Sequence, residues 1–224
     1  MTKSITRTLL SAAALVVATA GAHAAQVGVS SYDMSNGDGQ AHGGSFNYWD
    51  TPYSGTASAG ATTIDGLYTN NLSGGSGKLT DGVIATQSWY AVSNNAGTGP
   101  YVGWLAPNTV SITFHFASVV DIDEVKLFVD NSNVGGVSAP NSVSIGSATF
   151  ANSLYLTASE PTVLDFTGLG LHGDSVTVSM NYANAWIFLS EAQFFTSSVP
   201  EADNAAMLLG GLGLLGLIAR RRRA

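Results

Sequence analysis

The heptapeptide Val110–Phe116, which reads VSITFHF, constrains the fold more than any other stretch of the sequence. Apolar and polar side chains alternate strictly along it. Because successive side chains of a β-strand point to opposite faces, this alternation predicts a half-buried strand. Ile112 and Phe114 are then expected on the buried face. Thr113 and His115 are expected on the polar face.

Several short apolar segments follow, separated by clusters of Gly, Asn, Ser, Asp and Pro that favour turns, such as Asn131–Pro140 and Gly168–Asp174. No stretch of this region has a helical period. Many short strands with turns between them predict an all-β fold, an antiparallel β-sandwich of the jelly-roll type. The further predicted strands are Ile122–Val129, Ser142–Ile145, Thr162–Phe166, Ser175–Met180 and Ala185–Phe195.

The predicted jelly-roll core covers residues 77–198. The part before it, residues 25–76, is irregular and rich in Gly, Ser, Asn and Thr. Two alternatives are open for that part: the first strands of the sandwich with a long loop, or a partly ordered arm.

The N-terminal segment Met1–Ala24 has the pattern of a secretory signal peptide. Lys3 and Arg7 precede an apolar stretch, and the segment ends in Ala-His-Ala, a small-residue cleavage motif. We therefore expect export, with cleavage after Ala24.

The C-terminal segment, residues 199–224, has three parts: the turn-forming peptide Val199–Ala202, the uncharged apolar run Ala205–Ala219 and the basic cluster Arg220–Arg223. The apolar run predicts a transmembrane helix. Its helical length of about 22 Å is short for a hydrocarbon core of about 30 Å. Positive charge beside an apolar segment stays in the cytoplasm, so the preceding domain is expected outside.

This tail resembles the PEP-CTERM sorting signal of exported Gram-negative proteins, except that Ala202 stands where the family usually has a second proline. The resemblance implies an exosortase-type membrane protease as partner and a transient stay in the inner membrane. Transfer to the cell surface or the extracellular matrix would follow. The implied recognition residues are Val199, Pro200, Glu201, Arg220, Arg221, Arg222 and Arg223.

Between the two terminal signals the sequence is strongly acidic. Residues 25–198 hold thirteen carboxylates against Lys78 and Lys126, a net charge of −11. Such a surface repels nucleic acid and anionic lipid, so neither is an expected partner, and it favours cations. The chain has no cysteine, so no disulfide stabilises it.

The sequence argues against an enzyme. It has no Gly-x-Ser-x-Gly motif, and His42, His115 and His172 are isolated from one another. The stretch Gly74–Lys78 lacks the first glycine and the final Ser or Thr of a phosphate-binding loop, and we interpret it as a flexible turn.

A second resemblance rests on Lys78–Gly82, on Trp89, and on the run Trp186–Glu191 followed by Phe194. With the strands through Ile112 and Val125 and with Pro140, these residues are similar to the discoidin-like, galactose-binding-like jelly roll. The family implies a structural calcium ion held by Asp81, Thr86 and Glu191. The alternative is that Asp81 only begins a turn and that Glu191 lies on an exposed strand face.

The same resemblance implies glycan binding by loop aromatics at one end of the sandwich, with Asn94 and Asn95 as polar partners. Trp89 and Trp186 are expected in the core, and for Trp104 core and loop tip are both open. Two functions follow: a non-catalytic module that binds exopolysaccharide, or a structural matrix protein that binds no sugar. The candidate aromatics are Trp49, Tyr53, Tyr90, Tyr101 and Trp104.

Overall fold

The computed structural model describes residues 24–37, 46–64, 67–106, 110–157, 160–197, 209–213 and 221. Two units are distinguished. One is Ala24–Ser197, and the other consists of the two terminal segments, residues 1–23 and 198–224. The predicted signal peptide therefore lies outside the described residues, except for Ala24.

Ala24–Ser197 contains ten strands among its described residues and one short helix, α1, Trp89–Val92. Single 3-10 turns occupy Lys78–Thr80 and Leu154–Leu156. The strands are β1 Gln26–Val27, β2 Val29–Gly37, β3 Thr56–Ile64, β4 Leu67–Gly75, β5 Val102–Leu105, β6 Val110–Val129, β7 Ser142–Ile145, β8 Ala148–Ala151, β9 Thr162–Asn181 and β10 Trp186–Phe195.

Two long antiparallel strands, β6 and β9, belong to both layers of a β-sandwich. The first half of β6, 110–115, pairs with the second half of β9, 175–180, in the first layer, where the order is β3-β4-β2-β6-β9-β7-β8. The second half of β6, 124–129, pairs with the first half of β9, 162–167, in the second layer. There β6 also pairs with β10, which in turn pairs with β5 and β1. The predicted fold class, an all-β antiparallel sandwich, is confirmed.

The core lies between the two layers. Phe114 of β6 contacts Phe194 of β10 across it, with ring centroids 4.9 Å apart. Ile112 and Phe114 are fully buried, as the alternating pattern predicts, whereas Thr113 and His115 are half-buried on the other face. Burial of each such apolar side chain contributes about 1.5–3 kcal/mol to stability.

The predicted strand positions are close to the observed ones, with two errors. Val110–Phe116 and Ile122–Val129 are predicted as separate strands, but the continuous strand β6 contains both. Gly168–Asp174 was expected as a turn, but these residues continue β9. Gly168 and Gly170 have positive φ values of 71° and 56°, and the pairing register with β6 shifts nearby, so the glycines let the strand bend from one layer to the other.

The segment 25–76 supplies β1 to β4 and is thus an integral part of the sandwich. β2 lies in the interior of the first layer, between β4 and β6. Of the two alternatives left open by the sequence, the structure therefore shows the first strands of the sandwich.

In the C-terminal segment the structure describes 209–213, which are helical, and Arg221. None of the described residues belong to a helix that is long and apolar enough to cross a membrane. Most of the predicted helix Ala205–Ala219 lies outside the described residues, as do Val199, Pro200, Glu201, Arg220, Arg222 and Arg223.

Candidate functional site

Loops from distant parts of the chain meet at one end of the sandwich, which we call the loop end. The backbone N–H of Asn47 donates to the carbonyl of Asn94 (3.0 Å), and the hydroxyl of Thr51 donates to the carbonyl of Gly97 (2.9 Å). The N–H of Trp89 donates to Asp130 (2.6 Å). The loop end therefore combines residues 46–55, 76–101 and 130–137 in one structure.

A pocket of about 330 Å³ opens at the loop end, and we call it the loop pocket. Its wall combines hydroxyl, carboxylate and ammonium groups with small and apolar residues. The exposed lining is more apolar than polar and includes a few hydrogen-bonding groups, as is usual for ligand pockets. The lining residues are Thr51, Pro52, Lys78, Asp81, Val83, Gly97, Thr98, Gly99 and Pro100.

Lys78 is buried in the floor of the loop pocket. Its Nζ donates to the carbonyl of Trp49 (2.8 Å), and its backbone N–H donates to Oδ1 of Asp50 (2.9 Å). Burial lowers the pKa of the Lys78 ammonium to about 8, although Asp50 and Asp81 favour its charged form. A lysine with these contacts fixes the segment at residue 78 to the segment at residues 49 and 50.

Asp50 is the centre of this arrangement. The hydroxyl of Tyr32 donates to its Oδ2, and the Asp50 N–H donates to the side chain of Asn36 (2.9 Å). Burial raises the pKa of the Asp50 carboxyl, although the hydrogen bonds from Tyr32 and Lys78 act to lower it. Gly77 is required beside it, because a Cβ there would lie 2.3 Å from Oδ1 of Asp50.

Glu191 of β10 holds the loop that carries Asp81. The N–H of Gly82 donates to Oε2 of Glu191 (3.2 Å), and the N–H of Val83 donates to Oδ1 of Asp81 (2.8 Å). Glu191 is only 2% exposed. Burial raises the pKa of its carboxyl to about 7; the Gly82 hydrogen bond opposes this rise and the charge of Asp81 adds to it.

The structure thus brings two of the three expected calcium ligands, Asp81 and Glu191, into electrostatic contact, and it buries Glu191 rather than exposing it. Thr86, the third expected ligand, is exposed. Within the described part of the chain, no group of three or more His, Asp or Glu side chains is arranged to hold a metal. Two neighbouring carboxylates, one buried, fit a cation, which would need carbonyl or hydroxyl oxygens in addition.

Three of the five aromatics predicted to contact a glycan are core residues instead. Trp49 is 1%, Tyr101 1% and Trp104 2% exposed, so none offers a ring face to a ligand. The Trp49 ring covers Gly37, where a Cβ would lie only 2.0 Å from it. The indole N–H of Trp104 donates to the carbonyl of Ser35 (2.7 Å), which places Trp104 in the core rather than at a loop tip.

Tyr53 and Tyr101 use their hydroxyl groups within the protein. The Tyr53 hydroxyl donates to the carbonyl of Tyr32 and accepts from the N–H of Gly75 (2.9 Å). The Tyr101 hydroxyl donates to the carbonyl of Gln87 (2.9 Å). Both groups therefore fix loops to the sandwich. Tyr90 differs, because it is 52% exposed at the loop end.

Tyr90 forms an exposed aromatic surface together with Trp89 and Phe46. The Trp89 ring lies 6.1 Å from that of Tyr90 and 5.6 Å from that of Phe46, both edge to face. Phe46 is 39% exposed. Trp89, which is expected in the core, is only half-buried and packs against Phe188. The half-buried Trp186 lies in the same cluster.

Asn94 and Asn95, the polar residues expected to contact a glycan, have different environments. The Asn94 side chain donates to the hydroxyl of Thr98 (2.8 Å) and accepts from its N–H (3.3 Å), so it stabilises its own loop. Asn95 is exposed.

Sequence reasoning missed Phe46, Asp50 and Lys78 as site residues. Phe46 and Asp50 flank the aromatic run that drew attention to Trp49, and this was an available signal. Lys78 was interpreted as part of a flexible turn, and nothing local indicates that a lysine is buried.

Comparison with known proteins agrees with this fold. The family described as Discoidin domain-containing receptor 1/2, DS-like domain, matches residues 28–197. No curated protein matches the chain. Among solved structures, the lectin domain of lectinolysin complexed with Lewis B antigen is 15% identical, with a TM-score of 0.40, over 64% of this chain and 94% of that chain.

Two other solved structures are similar. The chitosan-binding module 1 of a chitosanase/glucanase from Paenibacillus sp. IK-5 is 14% identical over 67% of this chain and 98% of that chain, with a TM-score of 0.34. The CBM32 of AlyQ in complex with 4,5-unsaturated mannuronic acid is 14% identical over 43% of this chain and 78% of that chain, with a TM-score of 0.33. Because the family match spans most of the sandwich, the chain belongs to the discoidin domain-containing receptor 1/2, DS-like domain family.

Proposed function

We propose that this chain is an exported, non-catalytic glycan-binding protein that holds exopolysaccharide at its loop end. The observation that carries the proposal is the loop pocket, whose lining includes three exposed polar residues, Thr51, Asp81 and Thr98. Sugars bind through hydroxyl groups that donate to and accept from such side chains. The discoidin-like family resemblance implies glycan binding at the same end.

The aromatic surface supports the same proposal. Helix α1, which carries Trp89 and Tyr90, leads directly into the segment that lines the pocket at Gly97–Pro100. An exposed tyrosine ring offers an apolar face for the C–H groups of a sugar and a hydroxyl for its polar edge. Tyr90 is therefore the residue that we expect to contact glycan beside the pocket.

The loop end and Thr196 lie at opposite ends of β10. Strand β10 starts at Trp186, whose N–H donates to Gly136 of the loop end (2.9 Å), and it ends at Phe195. Its ten residues span about 30 Å. At the far end the N–H of Thr196 donates to the carbonyl of Ala25 (3.0 Å).

Sorting is the second part of the proposal. The signal peptide would direct export through the inner membrane, and the tail would anchor the protein with its C-terminus in the cytoplasm. An exosortase-type protease would then act at Pro200 and Glu201, leaving the protein on the cell surface or in the matrix. Replacing Arg220–Arg223 with serine should stop processing and change the cell fraction that holds the protein; unchanged processing would contradict this part.

A structural calcium ion is the third part. Asp81 and Glu191 would supply carboxylate oxygens and Thr86 a hydroxyl or carbonyl oxygen, and the ion would offset the repulsion between the two carboxylates. Its support is the burial of Glu191 beside a second carboxylate.

Binding to exopolysaccharide of the producing cell and to a glycan array tests the function. We expect Tyr90→Ala to weaken binding about tenfold, the effect of losing one stacked ring of about 1–1.5 kcal/mol. Val119→Ala is the control, because Val119 is 57% exposed and lies on β6, outside the loop end. If the folded protein binds no glycan with calcium present, the structural matrix role replaces glycan binding.

A further inference from the structure

The open strand edges of the sandwich differ in how they are protected. A free edge presents unpaired N–H and C=O groups, which another strand can use. The edge of β5 is covered by a loop: the N–H of Gly103 donates to the carbonyl of Tyr48 (2.8 Å), and the Asn36 side chain donates to the carbonyl of Gly103 (3.2 Å). That edge is not available to another chain.

Two further edges carry features that discourage pairing. β8 is only four residues long. The first half of β9 follows Pro161 and carries the exposed Asp165. Short edge strands, proline and charge all discourage edge-to-edge association.

β3 has none of these features, although its register with β4 shifts between Ala59 and Thr63, so regular pairing is confined to Thr56–Ala59 and to Thr63 and Ile64. It is nine residues long and contains neither proline nor a charged residue. The side chains of Thr56–Ala59 are exposed. On one side β3 pairs with β4, with Thr56 opposite Ser73 and Ser58 opposite Asn71. On its other side, no strand pairs with it among the described residues.

The charge distribution permits a second copy at this edge. Residues 25–198 carry a net charge of −11, yet β3 and its neighbour β4 contain no charged residue. Two copies of so acidic a domain repel each other over most of their surfaces. No charged side chain of β3 opposes the approach of a second copy, and backbone hydrogen bonds add a directional attraction.

We propose that β3 pairs antiparallel with β3 of a second copy of this chain, around a two-fold axis. Such a contact uses the same surface on both copies, so it closes on itself and gives a dimer rather than a fibre. The dimer carries two loop ends, and a polymeric glycan that reaches both is held more strongly than by one. The dimer itself does not depend on glycan binding.

The test uses the absence of cysteine from the chain. Single cysteines are placed in the full chain by Thr56→Cys, Ala57→Cys, Ser58→Cys and Ala59→Cys, and the cells that export it are treated with a mild oxidant. Residues facing each other near the two-fold axis come within disulfide distance. We expect one or two neighbouring positions to give a product of twice the monomer mass on a non-reducing gel.

Ala151→Cys is the matched control, since Ala151 is an exposed alanine on the protected edge strand β8 and should give no product. Adding Ser58→Lys to a variant that cross-links through Cys at position 56, 57 or 59 should abolish the product, because it places like charges at the contact.

Three results overturn the proposal: no dimer from any of the four β3 variants exported at the wild-type level, an equal yield from Ala151→Cys, or a product of another mass. The last would assign the edge to a different protein. A dimer formed only through the tail leaves the β3 cysteines unlinked and falls under the first result.

Discussion

The backbone N–H of Gly82 donates to Oε2 of Glu191 over 3.2 Å, although the two residues are 109 positions apart. The adjacent Ser190 hydroxyl accepts from the N–H of Ala85 (3.2 Å) and donates to the carbonyl of Phe128 (3.2 Å). These bonds fix the loop that carries Asp81 to the centre of the second layer. The geometry of the loop pocket therefore depends on β10.

The first prediction concerns pH. Burial raises the pKa of Glu191 from 4.5 to about 7, so the folded protein keeps a proton that the unfolded chain has released between these values. The stability that this proton contributes is complete below pH 4.5 and is lost as the pH rises through 7. With calcium removed by a chelator, the free energy of unfolding should fall between pH 5 and pH 8 by about 1–3 kcal/mol less in Glu191→Gln than in the wild type.

Urea unfolding at four pH values measures this decline. Glu160→Gln is the control, because Glu160 is exposed. If Glu191→Gln and Glu160→Gln show the same pH dependence, the buried carboxyl is not its source.

The second prediction concerns calcium. A cation between Asp81 and Glu191 binds only the folded chain, so saturating calcium should raise the melting temperature by about 5 °C and chelator should reverse the rise. Asp81→Asn should abolish the shift, whereas Asp174→Asn, at an exposed position, should keep it. Scanning calorimetry measures both, and a shift that persists in Asp81→Asn would place the ion elsewhere.

The third prediction concerns Gly77. A Cβ at this position would lie 2.3 Å from Oδ1 of Asp50 and 2.7 Å from the Tyr32 hydroxyl, in a buried network that cannot move freely. Gly77→Ala should therefore lower the free energy of unfolding by about 2–4 kcal/mol. At Gly28 a Cβ would meet nothing within 4 Å, so Gly28→Ala should change the free energy of unfolding by less than about 0.5 kcal/mol. Equal effects of the two in denaturant titrations would contradict the packing argument.

The fourth prediction separates core from binding site. Trp104→Phe removes the indole N–H that donates to the carbonyl of Ser35, and the lost bond should cost about 1–3 kcal/mol of stability. Glycan affinity should stay at the wild-type value, because Trp104 is only 2% exposed. If both proteins are folded and Trp104→Phe loses more glycan affinity than Tyr90→Ala, Trp104 contacts the glycan and the prediction is wrong.

The alternation in Val110–Phe116 determined a strand and its two faces, because side chains of a strand alternate whatever its neighbours are. The inward positions Val176, Val178 and Met180 follow the same rule, and all three are buried. The all-β class could thus be predicted from local patterns. The continuation of β9 through Gly168 could not, since glycine marks a turn and a bend within a strand equally well.

Tertiary structure alone decided which aromatics are exposed. Trp49 is buried because it covers Gly37, and Trp104 because its indole meets Ser35, contacts that no local pattern encodes. The loop pocket likewise joins Thr51, Lys78 and Thr98, residues on segments separated along the chain. Local periodicity fixes which face of a strand is apolar, but burial of a loop side chain depends on which distant segment packs against it.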